Sequence, residues 1–145
     1  MTKKQWLLTL ELLIHGVLIV LMALPIGAVM RFGHPDPHVK LYRTFAYFDL
    51  GVLGMSGNPF PFLTAILASV GLLLILWMLV SSGKRTGKKG TACLICTLSG
   101  AAASVLALLM LSRVSAAGIA VTALMLLSAC IQALIRRDEG PVLET

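Results

Sequence analysis

Apolar residues run almost unbroken from Trp6 to Met30, from Phe60 to Val80 and from Thr91 to Ile135. A helix rises about 1.5 Å per residue and a bilayer's hydrocarbon core is about 30 Å thick, so about 20 apolar residues make one crossing. The first run predicts one span (about 6–30) and the second another (about 60–80). The third covers 45 residues with one charge, Arg113, and is too long for a single crossing. Divided near Ser112 to Gly118, it gives spans at about 91–112 and about 116–135. The expected fold is an all-α integral membrane protein, a four-transmembrane-helix up-down bundle forming a single membrane domain.

The polar stretches supply the connections. Residues 31–59 form a structured outer loop, 81–90 a basic inner loop and 136–145 an inner tail. Pro25 and Gly27 predict a kink late in the first span. Asn58, Pro59 and Pro61 read as the capped start of the second. Lys3 and Lys4 precede the first run as they would in a signal peptide, whose apolar region is only about 7–15 residues. This run is longer and ends in no clear small-residue cleavage site, so a retained helix is expected.

Composition agrees with lipid as the solvent. Of the 145 residues 58% are hydrophobic and 12% charged, against roughly 25% charged in an average soluble domain. Mean hydropathy is +0.94. The net charge of +6 lies in short clusters between apolar runs, which is a topology pattern and excludes a nucleic-acid partner. Lys3, Lys4, Lys84, Arg85, Lys88, Lys89, Arg136 and Arg137 fall on one side, and Arg31, Lys40, Arg43 and Arg113 on the other. Eight basic residues against four put both termini in the cytoplasm, with the protein in the cell membrane. Trp6 and Trp77 fall at the inner interface, and the seven other aromatics on the outer side, as in an aromatic belt at each face.

Glu11 and His15 are the sharpest candidates for chemistry. Four residues apart in the first span, they share a helix face in its cytoplasmic half. Ionisable groups inside a span face a protein interior or a water path, and often serve proton or ion relays. The plainer use has Glu11 snorkelling to the interface and His15 hydrogen-bonded to a neighbouring helix.

Cys93 and Cys96 form a C-x-x-C on one helix face, and an antiparallel fourth span would bring Cys130 to a similar depth. A thiol cluster follows, or three small apolar side chains. The quinone-linked disulfide-forming enzymes are also small helical membrane bundles, but their C-x-x-C works at the outer face. The charge count puts Cys93 and Cys96 at the inner one.

His34, Asp36 and His38 form a weak metal candidate in a proline-stiffened connector. Residues 39–50 mix aromatic and charged side chains, as in a segment lying in the headgroup layer. Ala92, Cys96, Gly100 and Ser104 make a small-residue stripe for close helix packing, faced by Ala116, Ala120, Ala129 and Ala133.

No phosphate loop, dinucleotide fingerprint, nucleophile elbow or zinc-protease motif is present, and no cofactor or resident metal is expected. The leading expectation is a non-enzymatic accessory or self-assembling membrane component, with lipid and another membrane protein or itself as partners. The alternatives are a small-solute or proton-linked transporter using Glu11 and His15, and a membrane thiol oxidoreductase using Cys93, Cys96 and Cys130.

Overall fold

The computed structural model describes residues 3–32, 38, 41–50, 58–81, 87–110 and 115–138. The chain is mostly helical, in the order α1 (Lys3–Ala23), β1 (Ala28–Phe32), β2 (Leu41–Phe45), α2 (Phe60–Val80), α3 (Gly87–Met110) and α4 (Ala116–Asp138). Each helix contains a segment long and apolar enough to cross a membrane, from the 19 residues of Gln5–Ala23 to the 22 of Ala116–Arg137.

The first helix is shorter than the apolar run that predicts it. It stops at Ala23, short of the span to about residue 30 that hydropathy predicts. Pro25 has no N–H to donate and disfavours helical backbone at Leu24. The chain instead closes a tight turn across Pro25, with Ile26 N–H donating to Leu24 O at 2.8 Å. Residues 28–32, of which the first three lie in the predicted span and the last two in the predicted loop, then form β1. Its antiparallel partner β2 pairs Ala28 with Phe45 and Phe32 with Leu41. This hairpin is the minor sheet of an otherwise helical fold and makes part of the expected connection β rather than helix or coil.

Two other helices outrun their apolar cores. The third begins at Gly87, inside the expected basic loop, and the fourth continues to Asp138 past Ile135. Hydropathy marks the buried part of a helix, whereas lysine and arginine are good helix formers in their own right. Arg136 and Arg137 occupy the last turn of α4, where they complement the helix dipole. At the start of α2, Asn58 Oδ1 accepts the Phe60 N–H at 3.1 Å and Pro61 occupies the first turn.

The helices close a ring in which α1 packs on α2, α2 on α3, α3 on α4 and α4 back on α1. Cross-contacts set the directions. Ser104 meets Thr122 and Leu108 approaches Gly118, so α3 and α4 are antiparallel. Glu11 meets Ser128 and Gly27 meets Ser115, so α1 and α4 are antiparallel too. One end of the bundle therefore carries the start of α1 and the end of α4 (the terminal end), and the other carries the hairpin (the hairpin end).

The solvent-facing surface is inverted relative to a water-soluble bundle. Leu13, Leu73, Leu98 and Leu109 are 63%, 65%, 59% and 76% exposed. Glu11, His15, Thr64, Thr97, Ser104, Thr122, Ser128 and Gln132 are buried. Burying the polar groups and exposing leucine costs free energy in water, and matches a hydrocarbon surround.

Candidate functional site

One stripe of α1 faces the bundle axis: Leu8, Glu11, His15, Leu18 and Met22, all buried. Glu11 and His15 flank Leu13, the midpoint of Lys3–Ala23. The early end of α1 thus moves the pair from the expected cytoplasmic half to mid-height. The residues that meet it are central in their helices as well: Gly71 in α2 and Ser128 in α4.

The carboxylate and the imidazole are each wholly buried, with His15 Nδ1 3.6 Å from Glu11 Oε1. The same Nδ1–H donates to the Glu11 backbone carbonyl at 3.2 Å. In the neutral ring this leaves Nε2 as the lone-pair nitrogen. That nitrogen faces α2 at Gly71, where an added Cβ would stand 3.0 Å away. Ser128 Oγ donates to Glu11 Oε1 across the α1–α4 seam. Gln132, one turn along α4, is buried on the same inward face.

Several of the site's polar atoms have no partner. Among the described residues, Glu11 Oε2, His15 Nε2 and Gln132 Nε2 are buried without a hydrogen bond. An unsatisfied buried polar group costs about 1–3 kcal/mol. Two of these atoms are bases, so a proton can be taken at Oε2 or at Nε2. Apolar side chains close the site on both sides: Leu18, Met22, Val121 and Met125 toward the hairpin, and Leu8, Ile75, Met78 and Ile135 toward the termini.

The other sequence candidates are dispersed. Cys93 is buried, Cys96 half-buried and Cys130 exposed, and all three are free thiols. Ser128 and Gln132 occupy the inward face of α4 and turn Cys130 outward, so the expected three-thiol cluster does not assemble. Cys96 donates instead to Leu67 O at 3.4 Å, tying α3 to α2. No group of three metal-ligating side chains occurs among the described residues. His38 is exposed, and His34 and Asp36 lie outside the described residues.

The small-residue stripe packs only in part. Gly100 and Ser104 are buried but Ala92 is exposed. An added Cβ on Gly100 would collide with Met125, and Ser104 pairs with Thr122 at 2.6 Å. The α4 side of this seam includes Gly118, Thr122 and Met125, while Ala120 is half-buried. Ala116 is exposed because α4 presents that face outward.

Sequence reading missed Ser128, Gln132 and Gly71. The signal for two of them was present: Ser128 and Gln132 stand four apart in an apolar run, the same cue that marks Glu11 and His15. Gly71 carries no such cue, since its role appears only when His15 is set against it.

Fold and site together define a class: a ring of four helices of membrane-crossing length around a buried carboxylate–imidazole pair at mid-height. No protein-family model matches the sequence, and neither the curated proteins nor the solved structures contain a match to it.

Proposed function

We propose that the chain is an integral membrane protein with four spans and both ends in the cytoplasm, and that it moves or senses a proton, alone or with a small solute, at Glu11 and His15. The observation that carries this reading is a carboxylate and an imidazole, wholly buried and 3.6 Å apart at mid-height, with an open base on each. In hydrocarbon surroundings such groups are costly and mark proton or ion paths. A proton arriving at His15 Nε2 makes an imidazolium beside the carboxylate. A proton arriving at Glu11 Oε2 neutralises the acid. The site can therefore hold or pass a proton without covalent chemistry.

The test is proton movement in liposomes holding purified protein and a pH-sensitive dye. Glu11→Gln and His15→Asn, with unchanged melting temperature, should each abolish proton movement that the parent shows. Parent vesicles no leakier than empty ones, across a range of imposed potentials and candidate solutes, would overturn the reading.

A second reading rests on the bond from Ser128 to Glu11, which joins two helices distant in sequence. On that reading the cluster is a structural staple of an accessory or self-assembling component, whose apolar outward faces meet a partner span. Co-purification in mild detergent tests it: a stoichiometric membrane partner, or a discrete homo-oligomer, supports this second role. The thiol-oxidoreductase reading has no such support, because Cys130 is turned away from Cys93.

A further inference from the structure

At the hairpin end, three described segments interlock. Tyr47 N–H donates to Met22 O at 2.9 Å, taking a carbonyl left open by the early end of α1. The wholly buried ring of Tyr47 lies on Gly27, so closely that any Cβ there would collide with it. Ser115 Oγ donates to Gly27 O at 2.5 Å and accepts the Gly118 N–H at 2.9 Å, capping α4. Backbone and ring contacts thus join the end of α1, the exit of β2 and the start of α4 above Met22 and Leu18.

We propose that Gly27, Tyr47 and Ser115 form a clasp that seals the hairpin end of the bundle and, on release, opens the axis toward Glu11 and His15 from that side. Two features make it releasable. The Tyr47 hydroxyl is buried with no hydrogen-bond partner, so moving the phenol to water or headgroups satisfies a group that the closed form leaves open. The turn at Pro25 and Gly27 is not held by helical hydrogen bonds, so it can hinge without unwinding α1. Between the clasp and the pair stand Leu18, Met22, Val121 and Met125, of which the two flexible methionines repack easily. That the opening serves proton traffic rests on the reading given above; the opening itself does not.

A single reporter thiol tests the clasp. Leu18 lies on the axis-facing stripe between His15 and Met22 and is wholly buried. The three native cysteines are replaced by alanine and Leu18 by cysteine in the full-length chain. A membrane-impermeant methanethiosulfonate is then applied to the hairpin side, the side identified by rapid modification of a Leu50→Cys control in the same background, because Leu50 is 66% exposed.

With the clasp intact, the cysteine at 18 should react far more slowly than the control. Tyr47→Ala should speed its reaction by about tenfold or more, as expected when a minor open state becomes common. Tyr47→Phe should leave it slow, since the hydroxyl holds nothing. Gly27→Ala, which drives the ring off from the other side, should match Tyr47→Ala. Retained melting and gel-filtration behaviour separates opening from unfolding.

Acceleration in either folded variant supports the clasp. Slow modification in both, or fast modification in the parent, overturns it. If Tyr47→Ala exposes position 18 while Glu11→Gln leaves proton movement unchanged, the clasp stands and the proton reading falls. The reverse pair of results discards the clasp alone.

Discussion

Gly71 shows how much of the site rests on one missing methyl group. With a Cβ 3.0 Å from His15 Nε2, Gly71→Ala must displace the imidazole by a few tenths of an ångström. Overpacking of this kind costs about 1–3 kcal/mol. The expected outcome is a lowered melting temperature together with a displaced His15 ring resonance in NMR; an unmoved resonance would mean that His15 does not rest on α2. Tyr47 gives a second residue-scale test. Burial pushes its phenol up from 10.0 to about 12. Between those values the unfolded chain loses the proton while the folded chain keeps it. Stability is therefore fully present below about pH 10 and falls as pH rises toward about 12, by about 1.4 kcal/mol per unit inside that window. In detergent melts from about pH 9 to about pH 12, Tyr47→Phe should remove this alkaline component and leave the rest of the profile. An identical profile in both proteins would place the Tyr47 hydroxyl in contact with solvent.

At the scale of elements, what could be read from sequence divides along a physical line. Helices of crossing length are visible because about twenty apolar residues in a row have few other uses in a small chain. Their ends are less visible, because capping, proline and tertiary hydrogen bonds set them, not hydropathy. Ala28, Val29 and Met30 illustrate the failure: they are as apolar as span, yet they pair with Phe45, Thr44 and Arg43 once Pro25 ends the helix. The site was half legible for the same reason. Glu11 and His15 stand out against an apolar background, but their depth depends on where α1 ends. Met22 O is the atom at which these influences compete. In a continued helix it would accept the Ile26 N–H; here it accepts Tyr47 N–H at 2.9 Å. Pro25→Ala should let the helix claim it, so the Tyr47 amide should exchange hydrogen faster while helical content rises. Unchanged protection at Tyr47 would show that the hairpin, and not the proline, fixes the end of α1.

For the whole molecule, direction and orientation are separate questions with separate physical causes. The antiparallel seams of the ring, Ser104 on Thr122 and Glu11 on Ser128, require that α1 begin and α4 finish at the same end. Inserted in a bilayer, the bundle must then place both chain ends in one compartment, whichever that is. The choice of compartment belongs to charge. The sequence assigns eight basic residues to the side of the termini and four to the other; such residues resist translocation, and the expectation is that this side is cytoplasmic. Reporter fusions at each terminus, one active only in the cytoplasm and one only outside, distinguish the two causes. Cytoplasmic signals from both ends are expected. Both ends outside would preserve the packing and discard the charge argument. Cys93 and Cys96 would then lie toward the outer compartment. Ends in opposite compartments are incompatible with the seams, and with them the meeting of Glu11, His15 and Ser128 at mid-height would fail. Neutralising Lys84, Arg85, Lys88 and Lys89 together should weaken the bias and yield a mixed population. It should not split the termini, because the ring ties them together regardless of which way it faces.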